Sequence, residues 1–128
     1  MRKPILCVDF DGVIHSYASG WKGADVIPDP PVPGVFEWIA KASEHFTIAV
    51  YSSRSGQEGG IQAMQDWMQM HCPTVPYDWW YHYGKALEWP TSKPSAFLTI
   101  DDRCIQFDGD WSFDPASLRN FKPWNKRG

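Results

Sequence analysis

The fold that we expect is decided by the stretch Ile5-Leu6-Cys7-Val8-Asp9-Phe10-Asp11-Gly12. Four apolar residues run without interruption into Asp9, and a second carboxylate follows two positions later. A strand that is buried on both faces of a parallel sheet reads as a continuous apolar run. Ligands of such sheets bind beyond the carboxyl ends of the strands. The stretch therefore predicts a central strand with a functional site at its end.

Two further apolar runs, residues 46–51 and 96–100, also end in polar residues. The polar residues that follow them are Ser52, Ser53 and Arg54 after the first run, and Asp101 and Asp102 after the second. Lys93 lies just ahead of the last run. Because the carboxyl ends of parallel strands meet at one edge of a sheet, we expect these side chains to lie near one another.

The segments between the apolar runs have the periodicity of helices. An apolar stripe predicts a helix that starts with Pro33 at its first position and runs to about His45. A second stripe predicts a helix over residues 57–70. We interpret the aromatic residues 75–83 as a strand, with an ordered loop as the alternative. The order strand, helix, strand, helix, strand predicts an α/β fold with three layers and a parallel sheet.

The remaining segments are assigned from turn residues. Residues 12–33 contain too many prolines for a helix or central strand and predict a flap over the strand end. Residues 104–107 and 111–113 flank Asp-Gly-Asp and predict a hairpin. Residues 114–128 predict a short helix capped by Asp114, followed by a solvated basic tail. We expect the whole chain, residues 1–128, to form one domain.

The composition limits the possible partners. A net charge of −3 gives no general attraction to nucleic acid or anionic membranes. The apolar run that follows Arg2 and Lys3 is too short for a signal peptide, and no stretch could span a bilayer, so we expect a cytoplasmic protein. Three cysteines without zinc or redox spacing argue against metal binding through sulfur.

The acidic residues are candidates for a metal site. Carboxylates that lie together repel one another and are stable chiefly with a cation between them. Oxygen ligands favour a hard ion, and Mg²⁺ commonly binds one or two carboxylates together with a substrate phosphate. The predicted ligands of Mg²⁺ are Asp9, Asp11, Asp101 and Asp102.

Phosphoryl transfer would give each polar residue a role. Asp9 is the candidate nucleophile, and Asp11 is the general acid and base, with an affinity for protons raised by its acidic neighbours. Ser52 and Lys93 would offset the charge of the phosphoryl group, with Lys85 as the alternative lysine. Gly12 would keep a Cβ away from the phosphate.

Together these residues resemble the haloacid dehalogenase superfamily of phosphohydrolases. Its four motifs are matched in order by Asp9-Phe10-Asp11-Gly12-Val13, Ser52, Lys93 and Ile100-Asp101-Asp102. The resemblance implies a Rossmannoid sheet, Mg²⁺, a nucleophilic Asp9, and an Asp11 that acts as acid and base and binds the metal through its main-chain carbonyl. One of the last two aspartates would bind the metal directly, and we favour Asp102.

The resemblance also bears on the substrate. The segments between the motifs leave no room for a cap domain, and capless members of that family act on large or accessible substrates, which here means a nucleic acid end, a nucleotide or a phosphoprotein. Ser52-Ser53-Arg54 is similar to the Ser-x-Arg motif of polynucleotide 3′-phosphatases. Ser53 and Arg54 are thus candidate substrate-binding residues, and a structural ion pair is the alternative role for Arg54.

Two other classes of function are compatible with parts of the sequence. A receiver-like signalling domain would also carry an acidic cluster and a lysine, but its lysine follows the phosphorylated aspartate, whereas Lys93 precedes Asp101 and Asp102. An idle fold could serve as a binding module with a tryptophan surface. The tryptophans considered for that surface are Trp21, Trp79, Trp80 and Trp89.

Overall fold

Three strands form a parallel sheet in the computed structural model, which describes residues 2–127. Strand β1 comprises Ile5–Asp9, β2 comprises Thr47–Tyr51 and β3 comprises Leu98–Ile100. The strand order is β2-β1-β3, and Cys7 of β1 lies opposite Ala49 on one side and Thr99 on the other. The predicted α/β class and parallel sheet are confirmed.

Three α-helices and three short 3₁₀ helices complete the described chain. Helix α1 comprises Val35–Ala42, α2 comprises Gly60–His71 and α3 comprises Trp79–His82. The 3₁₀ helices are Gly84–Ala86, Ala116–Asn120 and Trp124–Lys126. Each of the two longer helices buries its apolar stripe, as the periodicity predicts.

The connections between strands run in opposite directions. The chain steps from β1 to β2 on one side and then returns past β1 to β3 on the other. Right-handed crossovers in opposite directions place their helices on opposite faces of the sheet. Phe36 of α1 packs on Trp79 of α3 with ring centroids 4.9 Å apart, and Trp67 of α2 packs on Phe10 at 5.2 Å. The finer three-layer assignment remains a prediction.

Both longer helices begin later than predicted. Gly34 and Gly59 precede them with φ of +87° and +77°, a left-handed conformation that a helix does not contain. Pro33 is therefore not the first helical residue. At the start of α2, a Cβ on Gly60 would also overlap the carbonyl of Arg54, so this glycine lets the helix approach the turn after β2.

Two predicted strand regions are wrong. In residues 75–83 the Asp78 carboxylate accepts hydrogen bonds from the N–H groups of Trp80 and Tyr81 and starts helix α3 instead. Residues 104–107 and 111–113 form no hairpin among the described residues. Their large apolar side chains Ile105, Phe107 and Trp111 are exposed, so the hairpin would have no core face to bury.

The C-terminal residues lie on the flap, where we expected a solvated tail. Trp124 donates its indole N–H to the Gly12 carbonyl at 2.6 Å, and Asn125 and Lys126 donate to the carbonyls of residues 16 and 18 at 2.9 and 3.2 Å. The short helix that precedes this segment was predicted, and the Asp114 carboxylate accepts a hydrogen bond from the Ala116 N–H at its start. The end of the chain thus closes over the beginning of the flap.

In the part of the chain that the structure describes, no helix combines the length and apolar character needed to cross a membrane.

Trp79 is part of the core rather than of a binding surface. It is 2% exposed and donates its indole N–H to the Phe36 carbonyl at 2.7 Å. Its proposed place in a tryptophan anchor surface is therefore wrong.

We predict that Trp79→Phe lowers the free energy of unfolding by about 1–3 kcal/mol, because a buried carbonyl loses its donor. Urea denaturation measures the change. Trp111→Phe is the control, because Trp111 is 79% exposed, and it should stay within about 0.5 kcal/mol of the unaltered protein. Equal effects of the two changes would contradict this account of the core.

Candidate functional site

Three carboxylates converge at the carboxyl ends of two adjacent strands. Asp9 ends β1, and Asp101 and Asp102 directly follow β3. One oxygen from each side chain lies within 4.8 Å of the others. Because β1 and β3 are paired and parallel, their ends meet at the same edge of the sheet. Three of the four predicted metal ligands are therefore together, and we call them the acidic cluster.

Two members of the acidic cluster, Asp9 and Asp102, have raised pKa values. Burial, followed by the negative charge of Asp101, raises the pKa of Asp9 to about 8. Burial also raises the pKa of Asp102. One carboxylate oxygen of Asp102, Oδ2, is buried without a hydrogen-bond partner among the described residues. A positive charge at this position would favour the ionised forms of Asp9 and Asp102.

The donor set suits a particular type of metal. It contains carboxylate oxygens and neither sulfur nor imidazole nitrogen. Oxygen ligands of this kind match Mg²⁺ and other hard divalent ions. The unpartnered oxygen of Asp102 supplies a further position for a cation. The residues present therefore fit the ion that the resemblance implies.

The Asp11 carboxylate is bound by Arg54 and His15 and is not a member of the acidic cluster. It accepts hydrogen bonds from Arg54 Nε at 2.9 and 3.2 Å and contacts His15 Nδ1 at 2.9 Å. The extended backbone ends at Asp9, and the amides of residues 13–15 turn back to the carbonyl of Phe10. The alternation that would place Asp9 and Asp11 on one side does not continue through this turn. The carboxylate of Asp11 thus lies outside the cluster, and metal binding through its main-chain carbonyl stays a prediction.

His15 belongs to the site but was not singled out from the sequence. Its side chain is fully buried, and its Nε2 accepts the backbone N–H of Asp29 at 3.1 Å. The remaining proton therefore sits on Nδ1, which donates to Asp11. Aromatic rings of Phe10 and Trp67 flank the imidazole. A histidine four residues after an aspartate in a flap has no diagnostic spacing.

Ser52 shapes the turn that follows β2. It is 3% exposed, and its hydroxyl accepts the Arg54 N–H at 3.1 Å, while its own N–H donates to Ser55 Oγ at 3.0 Å. Ser52 and Ser53 both line the space beside Asp9. The turn therefore presents two hydroxyl-bearing residues to the predicted nucleophile, as the sequence indicates.

Arg54 is committed to contacts within the protein. Its side chain is fully buried, and Nη1 donates to the carbonyls of residues 23, 24 and 26 at 2.8, 3.0 and 3.2 Å. The guanidinium also lies 4.8 Å from the ring centre of Trp21. Together with the ion pair to Asp11, these contacts fasten the flap to the turn after β2. We considered substrate binding and a structural ion pair as roles for Arg54, and the structure contains the ion pair with Asp11.

Asp9 lines two pockets that share part of their walls. The smaller, of about 190 Å³, is lined by Lys93, Tyr51, Cys7 and Thr99 in addition to residues shared with the larger pocket. The larger, of about 270 Å³, is lined by Asp11, Tyr17, Asp102 and Arg103 in addition to the shared residues. The shared residues are Asp9, Ser52, Ser53 and Asp101.

The lysine next to Asp9 is the one we preferred. Lys93 lines the smaller pocket, whereas the amino group of Lys85 lies 4.8 Å from the ring centre of Tyr81. Lys85 lines neither pocket beside Asp9. The geometry therefore favours Lys93 as the cation of the site.

The Asp102 carboxylate lies so close to the backbone at position 12 that only glycine fits there. The Gly12 φ of +83° is unfavourable for other residues, and a Cβ there would overlap the carboxylate of Asp102. The sequence suggested that Gly12 gives room to a phosphate. In the structure this glycine gives room to a member of the acidic cluster.

Comparisons of the chain with protein-family models, with curated proteins and with solved structures found no match. The resemblance to the haloacid dehalogenase superfamily therefore rests on the motif residues of the sequence.

We predict that Arg54→Met lowers the free energy of unfolding by about 3–5 kcal/mol, because the Asp11 charge and three flap carbonyls lose their donor. Urea denaturation measures the loss. Arg119→Met replaces an exposed arginine and should change stability by less than about 0.5 kcal/mol. A similar small effect for both variants would show that Arg54 does not hold the flap.

We also predict that the metal-free protein loses stability as the pH rises from about 4 to about 8. Asp9 keeps its proton up to about pH 8 when folded but releases it near its ordinary pKa of 3.8 when unfolded, so the native state binds more protons in this window. Thermal melting in EDTA at several pH values measures the trend. Asp9→Asn should melt with a weaker pH dependence, and a slope unchanged by this substitution would contradict the prediction.

Proposed function

We propose that the protein is a Mg²⁺-dependent phosphomonoester hydrolase that forms an aspartyl-phosphate on Asp9. The proposal rests on one observation, the convergence of Asp9, Asp101 and Asp102 within 4.8 Å next to the pocket that contains Lys93 and Ser52. Both pockets beside Asp9 are open, so the substrate presents an accessible phosphate on a nucleic acid end, a nucleotide or a phosphoprotein.

Asp9 acts as the nucleophile. A carboxylate oxygen attacks phosphorus, the bond from phosphorus to the leaving oxygen breaks, and water later hydrolyses the acyl-phosphate, so that one difficult step becomes two easier ones. The reaction needs Asp9 ionised, although its neighbours raise its pKa to about 8. Bound Mg²⁺ supplies the positive charge that favours the carboxylate form and offsets the charge of the phosphoryl group.

Asp11 transfers the protons. It gives a proton to the leaving oxygen in the first half-reaction and takes one from the attacking water in the second. Both of its oxygens accept hydrogen bonds from Arg54, and one also accepts from His15. These three contacts leave one lone-pair position on Oδ2 that can carry the proton. Arg54 and His15 hold it in a defined orientation beside Asp9.

Lys93 and the turn after β2 hold the phosphoryl oxygens. Lys93 brings a positive charge to the smaller pocket, and Ser52 and Ser53 line both pockets. Preorganised donors and charges of this kind stabilise the transferring phosphoryl group without reorganisation at the moment of reaction. Arg54 is not part of this set, because its Nε and Nη1 donate to Asp11 and the flap and its side chain is fully buried.

We predict that Asp9→Asn lowers the Mg²⁺-dependent hydrolysis of p-nitrophenyl phosphate by at least about a thousandfold, as expected for loss of a nucleophile. Release of p-nitrophenol measures the rate, and EDTA should abolish it. Asp110→Asn is the matched control, because Asp110 is exposed and lines neither pocket beside Asp9. Equal rates for the unaltered protein and Asp9→Asn would remove Asp9 from its role.

A further inference from the structure

Arg103 is the arginine with available donors at the site. Its side chain is 56% exposed, and it lines the larger pocket together with Asp11 and Tyr17. Its Nε lies 3.7 Å from Asp102 Oδ2, which is beyond hydrogen-bond distance. Among the described residues its guanidinium donates no hydrogen bond. In Arg54, the arginine that the motif indicated, Nε and Nη1 are occupied by Asp11 and the flap, and Nη2 is buried without a partner among those residues.

The larger pocket is lined mainly by negatively charged side chains, and Arg103 partly offsets their charge. Four carboxylates line it, from Asp9, Asp11, Asp101 and Asp102, and Arg103 is the one cationic side chain among its lining residues. An anionic substrate meets repulsion there unless positive groups offset it. Lys93 lines the smaller pocket instead. The two available cations therefore flank Asp9 in different pockets.

The two pockets have different parts in the proposed reaction. Asp11 lines the larger pocket and, as general acid, must reach the leaving oxygen. The leaving group therefore extends into the larger pocket, where Tyr17 and Arg103 are the lining residues that do not belong to the motifs. A guanidinium binds phosphate through two parallel hydrogen bonds, which an ammonium does not provide.

Tyr17 has a backbone conformation that suggests a function. Its φ of 60° makes it the one non-glycine residue with positive φ in the described part of the chain. A left-handed backbone conformation at a residue other than glycine costs on the order of 1–3 kcal/mol, and such residues cluster at ligand sites. The turn directs a half-buried phenol ring toward the larger pocket, next to Arg103.

We propose that Arg103 and Tyr17 form a subsite for a second phosphate on the leaving group, so that the protein acts on a phosphomonoester that carries two phosphates. Arg103 binds the second phosphate, and Tyr17 contacts the part of the leaving group between the two phosphates. This inference rests on the proposed function, because that function decides which pocket receives the leaving group.

Matched substrates test the subsite. We would compare kcat/KM for thymidine 3′-phosphate with thymidine 3′,5′-bisphosphate, and for glucose 1-phosphate with glucose 1,6-bisphosphate. The unaltered protein should prefer at least one bisphosphate by roughly tenfold, which is the gain expected from one charged hydrogen-bonded contact. This preference exceeds the statistical factor of about two that comes from having two reactive phosphates on one molecule. The pair with the larger preference shows whether the leaving group is a nucleoside or a sugar.

Variants assign the preference to the residue. Arg103→Gln should lower the bisphosphate rate more than the monophosphate rate and so reduce the preference to about the statistical value, and Arg103→Lys should keep part of the preference. Arg119→Gln, an exposed arginine outside both pockets, is the control and should behave like the unaltered protein. A preference that survives Arg103→Gln, or an equal loss for mono- and bisphosphates, would overturn the proposal.

A binding measurement separates this inference from the proposed function. Calorimetric titration with orthophosphate and pyrophosphate in Mg²⁺ needs no turnover. Tighter binding of pyrophosphate that Arg103→Gln removes supports the subsite even if the protein hydrolyses no ester, in which case the proposed function alone fails. Hydrolysis of esters with equal binding of the two anions would overturn the subsite and leave the proposed function standing.

Discussion

Mutual repulsion among Asp9, Asp101 and Asp102 is the constraint on which the rest of the site depends. The parallel pairing of β1 with β3 brings these carboxylates within 4.8 Å, and partial burial of Asp9 and Asp102 reduces their screening by water. Burial, followed by the charge of Asp101, raises the pKa of Asp9 to about 8. Gly12 allows the crowding, because any side chain at this position would overlap Asp102. A fold that holds these carboxylates together therefore favours the binding of a cation between them.

The flap contributes a fixed wall to the site. Three sets of side chains hold it. Arg54 donates to the carbonyls of residues 23, 24 and 26, and His15 within the flap links Asp11 to Asp29. The C-terminal residues beginning at Trp124 donate to the carbonyls of residues 12, 16 and 18. The same contacts orient the Asp11 carboxylate. Positioning of the proton donor and anchoring of the flap are therefore one network, in which damage to either part affects the other.

The sequence predicted the parts of the structure that follow from local pattern. Apolar runs located the three strands, and their polar ends located Asp9, Ser52, Asp101 and Asp102, because parallel topology brings strand ends together. Tertiary contacts determined the rest. Helix starts depended on left-handed glycines, and the pairing of Asp11 with Arg54 depended on a turn that breaks strand alternation. No pattern indicated that Trp124 reaches Gly12, 112 positions away.

The most direct test of the account is to locate a divalent ion in crystals grown with Mn²⁺, which binds oxygen ligands like Mg²⁺ and has a measurable anomalous signal. The account predicts one anomalous peak in contact with oxygens of Asp9 and of Asp101 or Asp102, at about 2.2 Å. It also predicts that the peak disappears in crystals of Asp102→Asn. Absence of a peak at the acidic cluster in the unaltered protein, at saturating Mn²⁺ and neutral pH, would contradict the central claim.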